Sequence, residues 1–463
     1  MQYYYPVFDD LNKTENHQVI IDILEKAIIP NVPNFSILHF DLVANGYKQA
    51  KQYRKAAEWC EKVMAVSSSV EQKYASRFNM VQLYISCNQP EKALKLAEMN
   101  LSVNPNDWEM IVQRAICLFS VNQKEQARQI FLDICKEPNK WPDKCVQSAK
   151  FNLGLHYITA GNFKAGMKLL QIGREMKIWG SNVHKYPIPR WDGKAHPGKS
   201  VIIVGEGGIG DEVINARFGK HIRDMGMIPH IASCHKSASI FKRMGFETAR
   251  NYTAFTTDVP DIADFDFWTP TMDLPTDMEL DFKDLWYGPY LTVDPEYDEK
   301  WKKILPKSDK LKVGLKWMGN PLYEQELHRT VPITKFVPLF DLDKYELISL
   351  QKENATDLDN NPHVQHHNEE FETLEDLVAA INQLDIVLTS CTSIGHLAAA
   401  MGKTTYICVP IMNYYVWAED GYKSSWYGDN LTLLRQTKPR EWDSAVKQLK
   451  GYIDGKVDPK TDI

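Results

Sequence analysis

The chain has 463 residues, 60 acidic against 54 basic side chains and a formal charge of −6. With 44% hydrophobic and 25% charged residues it has the profile of a folded protein of several domains, which excludes a disordered or fibrous chain. No stretch concentrates Lys and Arg as a phosphate-tracking surface would, so nucleic acid is not an expected partner, and no apolar run of about 18 residues predicts a transmembrane segment. The start, MQYYYPVFDD, lacks the basic and apolar regions of a secretory leader, so a cytoplasmic location is expected. Cysteines at 60, 87, 117, 135, 145, 234, 391 and 408 form no CxxC pair, and are read as reduced, mainly buried thiols rather than a zinc or dithiol site.

Residues 1–35 read as a capping segment that supplies one helix. Over 36–178 the apolar residues recur at helical spacing, as in KALKLAEMNL and EQARQIFLDI. One pattern, spaced i, i+3, i+12, occurs four times: Ala44, Tyr47 and Ala56; Val81, Tyr84 and Ala93; Ala115, Leu118 and Ala127; Gly154, Tyr157 and Gly166. The sets start 37, 34 and 39 residues apart and resemble tetratricopeptide repeats. Small residues at the first and third positions let paired helices approach, and the larger residue between them fills the gap. The resemblance implies a short solenoid whose concave face binds peptides or other protein segments.

Residues 179–198 read as a linker, after which short β-branched runs alternate with amphipathic stretches: VIIVG, HIAS, DFDFW, KVGLKW, ELISL, DIVLTS and TYICVP. Such alternation predicts parallel sheets covered by helices. The Pro- and charge-rich stretch 289–310 reads as the connection between two small Rossmann-like domains, 199–305 and 306–463. The expected fold class is α followed by α/β, and the second half, cut near Lys185, is expected to fold alone.

Between VIIVG and the helical EVINARF lies a glycine-rich turn containing Gly205, Gly207, Gly208 and Gly210. Its spacing fits GxGxxG, but the next strand runs into HIASCHKSA without the carboxylate that holds a dinucleotide ribose, which demotes an NAD-dependent oxidoreductase. Glycines beyond the needs of a tight turn suit an approaching phosphate or sugar, so Gly207, Gly208 and Gly210 are candidates for an acceptor or phosphate loop.

The run PRWDGKAHPGKSVIIVGEGGIGDEVINARF (189–218), with GLKWMGNP (314–321), SLQKE (349–353) and TSCTSIGHLAAAMGK (389–403), resembles proteins that join tetratricopeptide repeats to a compact GT-B glycosyltransferase. It is similar to the ADP-heptose transferases of family 9 and more distantly to the O-linked N-acetylglucosamine transferases of family 41. The resemblance implies a GT-B pair of domains, a nucleoside-diphosphate sugar as donor on the carboxyl-terminal domain, an acceptor on the amino-terminal one, and neither metal nor cofactor. A protein or glycan acceptor would be recruited through the repeats, and homo-oligomerisation stays open. Where those transferases carry Asp-Thr, this chain has Cys391-Thr392, which keeps alive an inactive, scaffold-like reading.

The resemblance aligns Asp211 with a general base, whereas its position after the glycines also suits a helix N-cap, where the helix terminus would depress its pKa. Glu206 and Glu212 stand in reserve. For the donor diphosphate, Lys316 at a strand end and Arg329 in the following loop supply cations, with Gln351 and Lys352 after the next strand as weaker candidates. Thr392 and Ser393 open a helix whose N-terminus can receive an anion, and His396 follows within it. Tyr414, Tyr415, Trp417, Tyr422, Trp426 and Tyr427 crowd one stretch, offering sugar- or base-stacking faces as well as core. His366-His367 lacks ligand spacing, and no metal is expected there.

Overall fold

The computed structural model describes residues 4–14, 16–32, 35–180, 186–233, 235, 237–251, 262–321, 323–352 and 355–455, so part of the expected linker and Cys234 lie outside the described residues. The chain divides into two compact units: Met1–Ala149 with Asn320–Arg329 and Thr437–Glu441, and Lys150–Gly319 with Thr330–Gln436 and Trp442–Ile463.

The first unit is built of helical pairs. Its N-terminal segment forms two helices, α1 (Tyr4–Lys13) and α2 (His17–Asp22), rather than one. Their Phe8, with Leu24 just beyond, packs so closely on Gly46 that a Cβ there would lie 2.8 Å from the Phe8 ring. There follow α3 (Ile37–Gln49) with α4 (Tyr53–Val66), α5 (Val70–Ser86) with α6 (Pro90–Val103), and α7 (Trp108–Ser120) with α8 (Lys124–Lys136). A fourth pair, α9 (Asp143–Thr159) and α10 (Phe163–Leu170), begins in this unit and ends in the second.

The turn inside each pair has one residue in the left-handed region: Lys51, Asn88, Asn122 and Gly161. The next residue's N–H then donates 2.8 Å to the carbonyl of Tyr47, Tyr84, Leu118 or Tyr157, closing each first helix in the same way. The small positions are small because backbones meet there: a Cβ on Gly166 would lie 2.7 Å from the Gly154 carbonyl. In the fourth pair Tyr157 turns outward, 37% exposed, and Ile158 fills the crossing instead. The two late segments join this unit through hydrogen bonds of His328 to the Ile85 carbonyl (2.6 Å) and of Asn88 to the Leu327 carbonyl (2.9 Å).

The second unit holds two parallel sheets. One has the order β3-β2-β1-β4, with β1 (Ser200–Val204), β2 (Ile228–Ser233), β3 (Thr248–Asn251) and β4 (Phe267–Pro270). The other has the order β10-β9-β8-β5-β6-β7, with β5 (Leu311–Lys316), β6 (Tyr345–Ser349), β7 (Val364–Gln365), β8 (Ile386–Ser390), β9 (Thr404–Val409) and β10 (Leu431–Arg435). Helices α11 (Ile209–Ala216), α12 (Gly219–Asp224), α13 (Ala238–Arg243) and α14 (Leu274–Asp277) attend the first sheet. After α15 (Pro295–Ile304) come α17 (Ile333–Phe336), α18 (Leu374–Asn382), α19 (Ser393–Ala400) and α20 (Asp443–Ile453), while the short α16 (Glu326–Arg329) belongs to the first unit.

The stretch 289–310 is more than a connection, because α15 buries Trp301 and its indole N–H donates to Asp376 of α18 at 3.1 Å. The division between units also falls at 149/150, earlier than the repeat boundary at 178. The reason is apolar: Ile158, Phe163, Met167 and Leu170 share one buried cluster with residues of both sheets' helices. Phe163 packs its ring 5.0 Å from Phe282 and 5.8 Å from Trp426.

Phe163→Ala should therefore cost the second unit about 3–5 kcal/mol in urea unfolding. A fragment starting at residue 150 should keep a cooperative transition, and one cut near Lys185 should lose it; equal midpoints for the two fragments would show that α10 is dispensable.

Candidate active site between the two lobes

The glycine turn after β1 assigns its glycines different tasks. Gly205 has no room for a side chain, since a Cβ would lie 1.9 Å from the Glu212 carboxylate. Gly207 has φ 76° and Gly208 opens α11, both exposed. Gly210 faces the other lobe, where a Cβ would lie 3.1 Å from the His396 ring and 3.5 Å from the Ser393 Cα. It thus serves the close crossing of α11 and α19, and only Gly207 and Gly208 are left open for a ligand.

Asp211 stands in the first turn of α11 and does two things. Its Oδ2 accepts the Gly208 N–H at 2.6 Å, so it caps the helix from the third helical position rather than as the N-cap foreseen, which is Gly208, and its Oδ1 accepts the hydroxyl of Tyr414 from the loop after β9. Burial pushes its pKa up to about 6, outweighing the Tyr414 and Gly208 hydrogen bonds that pull it down, and the Glu206 and Glu212 carboxylates add to the rise. The depression expected of a helix terminus is therefore overturned by desolvation. The reserves are occupied: Glu206 is buried against the Arg174 guanidinium at 2.9 Å, and Glu212 accepts the Ser233 hydroxyl at 2.6 Å. Arg174 also binds Asp273 at 2.9 Å, to which Arg190 adds a contact at 2.7 Å.

At the strand ends of the larger sheet, Lys316 closes β5 in register with Thr389 of β8, half-buried. Beyond β8, Thr392 adopts N-cap geometry but its hydroxyl turns to Thr389 Oγ1 at 3.0 Å and makes no cap hydrogen bond. Ser393 opens the helix, and the fully buried Ser390 hydroxyl has no hydrogen-bond partner among the described residues. Lys316, these hydroxyls and the leading N–H groups of α19 thus gather at the carboxyl ends of β5 and β8, the edge of a parallel sheet where ligands bind.

His396 lies one turn into α19, stacked on Trp417 at 5.0 Å with its Nδ1 2.9 Å from the Tyr427 hydroxyl. Burial, reinforced by the Arg217 charge, pulls its pKa down to about 3, so it is neutral and supplies no cation for a diphosphate. Cys391 Sγ accepts the Trp417 indole N–H at 3.2 Å. Gln351 is fully buried after β6, and Lys352 is tied to the Phe371 carbonyl at 2.5 Å. Arg329 belongs to the first unit, where it pairs with Glu326 at 2.6 Å and lies over the Tyr323 ring.

The aromatic stretch is core rather than a stacking platform: Tyr415, Trp417, Trp426 and Tyr427 are at most 2% exposed. Two of them, Trp426 and Tyr427, together with Trp286 and Tyr290, cover Arg217, a residue that the sequence pattern did not single out. Its guanidinium donates to the carbonyls of Ile214, Leu285 and Trp426 and to the Tyr290 hydroxyl. It lies 4.5 Å from the centre of the Tyr427 ring and 4.8 Å from that of Tyr290. The available signal was the tripeptide Trp-Tyr-Gly, present at both 286–288 and 426–428, together with one Arg in an apolar helix. Among the described residues no group of His, Cys, Asp or Glu could hold a metal, and no helix is long and apolar enough to cross a membrane.

Helical pairs of this repeat length, followed by two parallel, doubly wound lobes meeting along α11 and α19, define the class: a tetratricopeptide solenoid joined to a GT-B pair of Rossmann-like lobes. Neither family profiles nor curated proteins match the sequence. Among solved structures the chain is similar to the ADP-heptose lipopolysaccharide heptosyltransferase II of E. coli, at 10% identity and TM-score 0.38 over 56% of this chain and 99% of that one. It is also similar to an O-GlcNAc transferase of Thermobaculum terrenum, at 12% identity and TM-score 0.34 over 90% of this chain and 89% of that one. TPR-like repeats of a Podosopora anserina kinesin light chain match 38% of this chain and 95% of their own, at 14% identity and TM-score 0.32.

The raised pKa of Asp211 has a thermodynamic sign. The folded protein holds this proton more tightly than the unfolded chain, so the associated stability is present below about pH 4 and is lost as pH rises to about 6. Asp211→Asn should accordingly gain about 1–3 kcal/mol relative to wild type between pH 4 and pH 7.5. Melting at the two pH values checks this, and a constant difference would mean that the carboxylate is not desolvated.

Proposed function

We propose that the second unit is a metal-independent glycosyltransferase that uses a nucleoside-diphosphate sugar. The observation that carries the reading is the α11–α19 crossing at Gly210, which sets the proton-avid Asp211 on one lobe against the helix N-terminus on the other. Asp211 takes the proton of an acceptor hydroxyl as its oxygen bonds to the sugar carbon and the sugar–diphosphate bond breaks. The charge left on the departing diphosphate meets Lys316 and the N–H and hydroxyl donors around Thr392 and Ser393. The repeats recruit the acceptor, a protein or glycan. The NAD reading gains no support, because β2 ends in Ser233, whose hydroxyl is spent on Glu212.

One observation favours a second reading, a binding scaffold without catalysis: Cys391 stands where the similar transferases carry a carboxylate, and its sulfur is engaged by an indole. Incubation with a panel of nucleotide-sugars, followed by nucleotide release, separates the two. Under the transferase reading Asp211→Asn should reduce turnover by about 100- to 10,000-fold with donor binding retained. Nucleotide binding without release for any donor would establish the scaffold.

Lys316→Ala should weaken nucleoside-diphosphate binding by about 10- to 150-fold and leave the unphosphorylated nucleoside nearly unchanged. Calorimetric titration of both ligands checks this. Equal losses for the two would make Lys316 a support of the fold, and no loss for either would place the diphosphate elsewhere.

A further inference from the structure

We propose that Tyr414 is a positioning residue for Asp211, a phenol that reaches from the loop after β9 to hold Oδ1 and keep the carboxylate charged and aimed. This rests on the transferase reading above in so far as Asp211 is its base. With Oδ2 fixed by the Gly208 N–H and Oδ1 by the Tyr414 hydroxyl, neither carboxylate oxygen is free to rotate away, and each keeps a lone pair for an acceptor proton.

The surroundings leave this task to Tyr414. Glu206 and Glu212, on the same segment as Asp211, both disfavour its charge. The cation nearest Glu206, Arg174, is committed to Glu206 and Asp273. His396, packed against Gly210 from α19, is neutral, and His235, from beyond β2, bonds the Gly207 carbonyl at 2.8 Å rather than the carboxylate. Tyr415 is a buried neutral phenol whose own ionisation the Asp211 charge opposes, and Arg217 spends its donors on carbonyls and Tyr290 at the far end of α11. Gly208 and Tyr414 are thus the groups that favour the ionised form, and only Tyr414 comes from the opposite lobe.

The test compares wild type with Tyr414→Phe, which keeps the ring that packs 4.5 Å from Tyr415. The Asp211 carboxyl is followed by carbon-13 labelling, its signal identified by its loss in Asp211→Asn. Its titration midpoint should rise by about one to two pH units in Tyr414→Phe, and the acid limb of the rate profile should move with it. Near pH 6 turnover should fall by about tenfold or more, with wild-type and variant rates converging at alkaline pH. In a second variant, 3-fluorotyrosine at position 414, a stronger donor, should move the midpoint down. An unmoved midpoint in both variants, or a rate loss equal at every pH, overturns the proposal and leaves Tyr414 a packing residue. If no donor supports turnover the transferase reading fails separately, and the carboxyl titration still decides whether Tyr414 sets the charge of Asp211.

Discussion

A guanidinium buried without a carboxylate partner among the described residues is the constraint around which the second unit is arranged. Taking Arg217 out of water costs several kcal/mol, and the fold offsets this only by aiming three carbonyls, one phenol and the faces of neighbouring aromatic rings at it. All but the Ile214 carbonyl come from two distant Trp-Tyr-Gly loops, so satisfying one side chain fixes both loops against the C-terminus of α11. Once that end is fixed, Gly210 and Asp211 at the other end are fixed too. The same positive charge opposes protonation of His396, which lets a histidine ring lie flat on Trp417 and against α11 as an uncharged packing element.

In the first unit the governing constraint is backbone conformation rather than charge. Each helical pair closes on one left-handed residue, and Lys51, Asn88 and Asn122 accept that conformation where glycine does so only in the fourth pair. The hydrogen bond to the second position of each repeat motif repeats at 2.8 Å, so a spacing seen first as a string pattern is a set of identical helix ends. Asn and the polar Lys at these turns are tolerated because the turn is exposed or its side chain has work to do: Asn88, for instance, binds the Leu327 carbonyl.

The periodicities of the chain carried most of the architecture. Repeat spacing located the helical pairs because backbones meet only where Ala or Gly recurs, and the β-branched runs marked the central strands, which are buried on both faces. They missed β3, β7 and β10, edge strands that are short or poorly enriched, and placed the strand DFDFW early, since pairing begins at Phe267. Of the candidate site, the glycine turn, Asp211, Lys316 and the start of α19 were legible because strand ends of parallel sheets gather at one edge. The direction of the Asp211 shift was not, because it depends first on burial, which is settled only when the chain folds around the carboxyl. Nor was Arg217, whose partners are mostly carbonyls and rings contributed from 68 and 209 residues away.

The two late segments that belong to the first unit, Asn320–Arg329 and Thr437–Glu441, set an order on biogenesis. During synthesis the helical pairs leave the ribosome first, yet the His328 imidazole and the Leu327 and Thr437 carbonyls that bond to Ile85, Asn88 and Asn122 follow 243, 239 and 315 residues later. At about 5–20 residues per second the exposed polar ends of those helices wait for tens of seconds. The solenoid of this protein is therefore a nascent platform that is completed by its own C-terminal half, and a chain released early would carry it unfinished.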